Sequence, residues 1–170
     1  MPNKTNYQYY PKAEKPTADL IHVVDCFDKH HGALTKKNQL DAAAVLKVLS
    51  SDLKKKGFNV SASGKKIAVP VLYGMNGVVE KQFLIDAFHP KAGIVLEVEA
   101  AAAIINYLYL KDIFEAFLME DAHYLIIAVR NVNATTNGQN DFQTVCTAVD
   151  TMYSSNRFVI PLKGIMIIGY

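Results

Sequence analysis

The sequence predicts an α/β domain built on a partly parallel sheet. Three observations carry that expectation. Tyr124–Val129 and 164–168 are unbroken apolar runs, the pattern of strands buried on both faces. Helical patterns precede and separate them, so strand–helix–strand crossovers fit the order of segments. The chain has 170 residues, 51% apolar and 20% charged, which suits one core and is unlike a disordered chain.

Residues 1–37 read as an N-terminal arm and 38–170 as the α/β domain. Pro11, Pro16 and scattered lysines punctuate 1–20, so no helix is expected there. The apolar run 19–27 suits a short helix or a strand. Asn38 is a candidate N-cap for a helix over 38–56, in which Leu40, Ala43, Leu46, Leu49 and Leu53 follow helical spacing. Lys54–Lys56 and Gly57 form its basic last turn and terminal glycine. Three strand segments are expected, at 58–63 (which 66–73 continues after a Ser-Gly turn or pairs with), 78–88 and 92–99, with a turn at His89-Pro90-Lys91. The alanine run opens a long helix over 100–120, with Tyr107, Leu110, Phe114 and Phe117 on one apolar face. After the polar segment 130–140, Asn140 or Asp141 caps a last helix to about residue 154.

Composition narrows the function classes. A net charge of +2 declares no bulk attraction to nucleic acid or membrane, so local placement of charge decides. No stretch is long and apolar enough to span a bilayer. Nothing near the start reads as a secretion signal, and Cys26 and Cys146 form no CxxC pair; a cytoplasmic protein is expected.

The chemistry-bearing stretch is 85–99, IDAFHPKAGIVLEVE. Strand side chains alternate, so Glu97 and Glu99 share one face and Ile94, Leu96 and Val98 the other. Like charges inside an apolar strand need a partner, and a divalent cation suits hard oxygen ligands. A tight turn folds the preceding strand back and brings Asp86 beside Glu97. The expectation is that the three carboxylates converge within reach of one or two closely spaced ions, with at least one pKa raised by like-charge repulsion. The plainer reading of an E-x-E strand is the solvent face of a half-exposed sheet.

The order helix–strands–helix–strand, with D-x10-E-x-E across Asp86, Glu97 and Glu99, resembles the PD-(D/E)xK restriction-endonuclease-like superfamily over roughly 38–130. Leu96–Asn106 and Lys111–Arg130 also resemble uncharacterised bacterial proteins associated with that fold. The resemblance implies a three-layer core with a mixed central sheet flanked by helices. It implies a metal-dependent nuclease that hydrolyses DNA phosphodiester bonds, with Asp86, Glu97 and Glu99 as catalytic and metal-binding residues. Mg2+ would be the cofactor, with Mn2+ as substitute, and DNA and a second copy of the chain the partners, with neither a membrane nor a nucleotide cofactor. The pattern departs from the family at two places: Ile85 stands where proline is usual, and Glu99 where lysine is usual. Lys91 is a candidate substitute cation, and Asp41 or Asp52 a candidate flanking acid. The alternative is a catalytically degenerate nuclease-fold domain that binds DNA or protein.

Other patterns are weaker. Gly64-Lys65-Lys66 resembles the end of a phosphate loop, but residue 59 is Asn and the motif is not met. His22, His30 and His31 lack zinc spacing, and no G-x-S-x-G elbow exists. The lysine pairs and triplet at 36–37, 54–56 and 65–66 suit phosphate contact or a solvated surface. The Asn/Gln-rich segment 131–140 suits adenine edges or a plain polar loop.

Overall fold

The computed structural model describes residues 5–35, 40–100, 104–132, 138, 140–155 and 157–170. Along the chain, β1 (Asn6–Tyr10) is followed by α1 (Ala18–Leu34) and α2 (Ala42–Lys55). Then come β2 (Asn59–Val60), β3 (Ile67–Tyr73), β4 (Val79–Ile85), β5 (Ala87–His89) and β6 (Ile94–Glu99). The chain closes with α3 (Leu108–Leu118), β7 (Tyr124–Val129), α4 (Asp141–Ser154) and β8 (Gly164–Gly169).

The apolar strands β6, β7 and β8 run parallel at the centre of a six-stranded sheet ordered β1-β8-β7-β6-β5-β2. The three outer strands join antiparallel to their neighbours. Alternation along the strands gives the sheet two buried faces. Ile94, Leu96, Val98, Ile126 and Met166 pack with α1 and α2, whereas Val95, Leu125, Ile127 and Ile165 pack with α3 and α4. The result is a mixed sheet between two helical layers, the three-layer architecture expected. Fully buried leucines and isoleucines of this kind each contribute roughly 1.5–3 kcal/mol relative to exposure. Cys26 and Cys146 are free thiols in the two opposite layers. No helix among the described residues is long and apolar enough to cross a membrane.

Several segments differ from the sequence reading. The segment 1–20, expected without a helix, holds a strand at 6–10 and the start of a helix at 18. Residues 6–10 pair with 165–169 as an edge strand, and the 17-residue α1 buries Leu20, Val23, Val24 and Phe27. Asn38 lies outside the described residues; Asp41 caps α2, its carboxylate accepting from the Ala44 amide at 2.8 Å. The strand expected at 58–63 shrinks to β2. The one at 78–88 divides at Asp86 between two sheets, because β4 leaves the central sheet to pair with β3.

The β3–β4 pair is a separate two-stranded hairpin. Asn76 and Gly77 turn it with φ of 60° and 74°, the left-handed pair that suits Asn-Gly hairpins. Ile67, Val69, Val71 and Phe83 lean on the α3–α4 layer, while Leu72, Tyr73, Met75 and Val78 are exposed.

The helix expected at 100–120 is described only over 108–118, since Asn106 and Tyr107 take positive φ and residues 101–103 lie outside the described set. Its inward face is also not the one the aromatic spacing suggests. Tyr109, Asp112, Ile113 and Ala116 are buried, whereas Tyr107 and Phe114 are 64% and 61% exposed. Both faces of α3 carry apolar side chains, so spacing alone does not decide which turns inward.

Candidate active site

Asp86 owes its place to two registers. In the central sheet Ala87 pairs with Leu96, so the next rung sets Asp86 against Glu97. In the hairpin Ile67 pairs with Ile85, so the next rung sets Lys66 against Asp86. Gly93 fixes the first register by closing the turn from His89, its N–H donating to the His89 carbonyl at 2.9 Å. It does so at φ 64°, and an added Cβ would stand 2.7 Å from the Asp121 carbonyl oxygen. The short β5 pairs only with residues 94–96, which leaves the edge of β6 open beyond it. The Asp86 carboxylate fills that edge, accepting from the Val98 amide at 2.9 Å, while the Asp86 carbonyl accepts from the Ser61 amide at 2.8 Å.

Two acids and a lysine therefore meet. Lys66 Nζ lies 3.1 Å from Asp86 Oδ1 and 3.8 Å from Glu97 Oε2. Asp86 and Glu97 are 3% and 4% exposed. Burial, then the charges of Asp86 and Asp112, push the Glu97 carboxyl up to about 10, with Lys66 offsetting only part of this. Like-charge repulsion is thus present, but burial is the larger cause. Burial alone would lower the Lys66 pKa; Glu97 and Asp86 outweigh it and raise the value.

Glu99 follows a different path. It shares a side-chain hydrogen bond with Asp112, which reaches in from α3. Burial raises the pKa of both, Asp112 to about 8 with the Glu99 charge as the next cause. Among the described residues no three His, Cys, Asp or Glu side chains are grouped to hold a metal ion. The sequence-derived trio is therefore split: Asp86 and Glu97 meet around Lys66, and Glu99 engages Asp112.

A cleft of about 1020 Å³ opens over these groups. One wall is the length of α2 with Lys47, Ser50, Ser51 and Lys54; another is the 61–66 turn with Ser61, Ser63 and Lys66; Asp86 and Glu99 lie at the junction. Hydroxyls and ammonium groups beside a carboxylate floor suit the phosphates of a polyanion.

The other sequence candidates fall elsewhere. Lys91 is exposed in the turn before β6, at the far end of that strand from Glu99. Asp41 is the α2 cap and lines the cleft, whereas Asp52 pairs with Lys29, His30 and Lys55 on the outside. Asn140 caps α4 and Asn131 bonds to Asn6; residues 133–137 and 139 lie outside the described set. Lys66 and Asp112 are the residues that sequence reasoning missed. A signal for Lys66 existed in the Gly-Lys-Lys turn, and one for Asp112 in its i+3/i+4 spacing with Tyr109, Ile113 and Ala116.

Comparison with solved structures matches this architecture to the restriction endonuclease BglII, whose crystal structure is of a complex with a DNA 16-mer. The TM-score is 0.52 at 10% identity, over 98% of this chain and 76% of that one. The chain thus has a restriction-endonuclease-like fold. No protein-family model and no curated protein sequence matches it.

Proposed function

We propose that this chain is a metal-dependent nuclease that hydrolyses DNA phosphodiester bonds in the cleft between α2 and the carboxyl end of β6. One observation carries the reading: the buried carboxyl groups of Asp86 and Glu97 and the ammonium of half-exposed Lys66 arrive from three segments of chain at one point, two acids to one lysine. The restriction-endonuclease-like fold and the DNA bound to its structural neighbour support the choice of substrate.

The donor set fits a hard cation. Mg2+ takes one or two carboxylates together with waters and substrate phosphates, so Asp86 and Glu97 suffice as protein ligands, with Glu99 beside them. When bound, the ion would polarise the scissile phosphate and lower the pKa of the attacking water. The Val98 amide holds Asp86 in one orientation. Lys66, held against Asp86 and Glu97, supplies a positive charge where negative charge grows on the phosphate oxygens. It takes the role that a lysine at residue 99 would otherwise fill. Lys47 and Lys54 steer the phosphate backbone into the cleft. Cutting both strands of a duplex would require two such sites, hence two copies of the chain.

The competing reading, a DNA- or protein-binding domain without hydrolysis, draws on the absence of lysine at residue 99. Incubation of supercoiled plasmid with Mg2+ or Mn2+ separates the two. Nicking or linearisation is expected from the wild type. It should fall by about 10³-fold or more in Asp86→Asn, equivalent to several kcal/mol of charge stabilisation. Intact plasmid with the wild type, or equal cutting by the variant, overturns the nuclease reading.

A further inference from the structure

We propose that the outer face of α3 is the surface through which two copies of this chain pair. Two copies are what cutting both strands requires, so the pairing deepens the nuclease reading, yet it stands on exposed surface rather than on the cleft.

An α-helix carries side chains four residues apart on one face. Leu110, Phe114 and Leu118 follow that step in α3, on the side away from buried Tyr109, Ile113 and Ala116, and all three are exposed. The apolar face continues beyond the helix. The rings of Phe114 and Phe117 lie 6.5 Å apart and those of Phe117 and Phe158 5.9 Å apart, and Val159, next in the chain, is 90% exposed. Exposed Tyr107 stands just ahead of the first turn. Tyr107, Leu110, Phe114, Leu118, Phe158 and Val159 together leave on the order of 700 Å² open, more than the about 300–600 Å² of the largest patch on a typical monomer. A standard interface buries about 800 Å² on each partner, so this face nearly fills one side of such an interface.

The chemistry of the face suits a second copy. The row itself carries no charge, so pairing strips no ion of its water. On its flank, Lys111 and Glu115 already meet at 3.2 Å and sum to zero, so two such faces do not repel. An apolar ridge with four-residue spacing also packs against another of the same spacing. With the two helices antiparallel about a two-fold axis at Phe114, Leu110 of each chain meets Leu118 of the other, and the contact closes at two chains.

The test is the mass of the full chain in solution by sedimentation equilibrium. Wild type should have the mass of two chains. Phe114→Ser and Leu118→Lys should each weaken the pairing by about 10²-fold or more, because the two-fold axis repeats each change in both copies. Both side chains lie on the outside of the single chain, so circular dichroism should show the fold unchanged. Met75→Asp, at the equally bare tip of the hairpin, should leave the mass at two chains. A wild type with the mass of one chain overturns the pairing and assigns the face to a different protein. A two-chain mass kept by both α3 variants overturns it as well, since the contact then lies elsewhere. Plasmid cutting is scored separately: a wild type that pairs and does not cut overturns the nuclease reading and leaves the α3 contact standing.

Discussion

Two charged clusters of this molecule are near opposites. At the α1–α2 junction a single acid, Asp52, meets Lys29 at 2.8 Å, His30 at 2.7 Å and Lys55 at 3.6 Å. Hydrogen bonds from Lys29 and His30 hold its carboxyl well below the usual range. At the carboxyl end of β6 the ratio is reversed, with Asp86 and Glu97 sharing Lys66 and Glu99 set against Asp112, and burial lifting Glu97, Glu99 and Asp112. The outer cluster joins two helices and is complete as it stands. The inner one is held together against repulsion by the sheet and by α3, which is how a binding site differs from a brace.

Removing the one cation should break the contrast most. Lys66→Met is expected to lower DNA cleavage by about 10²–10³-fold, the usual cost of one preorganised charged donor. Mn2+ affinity, measured by calorimetry, should stay level or rise, because a competing positive charge is gone. A parallel loss of cleavage and metal binding would show that the lysine supports the fold rather than the chemistry.

The next effect is on stability. The Glu97 carboxyl, ordinarily at 4.5, is pushed up to about 10 in the folded chain. Between those values the folded state keeps a proton that the unfolded state releases, so metal-free stability falls as pH rises. Asp112, lifted to about 8, adds to the slope over the lower part of that range. Thermal melts of wild type and Glu97→Gln should nearly coincide at about pH 5 and separate by about pH 9, with the variant higher. Coincident curves throughout would mean that Glu97 is paired more fully than its surroundings indicate.

Asp52→Asn should have the smallest effect. Its contribution is present above the ordinary carboxylate pKa and is lost as pH falls below it. The lysines lie open to solvent, so the change in melting temperature at neutral pH should be slight and should shrink further in salt. A large shift would put Asp52 among the groups that hold the fold together.

What the sequence made legible follows from locality. Tyr124–Val129 and 164–168 declare themselves as buried strands, and Asn140 declares its cap, because each depends on a few neighbouring residues. Asp86 and Glu97 were readable for the same reason, since a single turn connects them. β1 was not, because it pairs with the last strand of the chain, far away in sequence. Lys66 was hidden by the hairpin between it and Asp86, and Asp112 by the aromatic stripe of α3, which faces out when spacing alone would turn it in.

The hairpin gives the Lys66–Asp86 contact a second meaning. That ion pair is the rung directly below Ile67 and Ile85, so it clasps the feet of a projecting arm whose tip carries bare Tyr73, Met75 and Val78. Replacing Lys66 would thus remove a charge from the cleft and a tie from the base of the hairpin together.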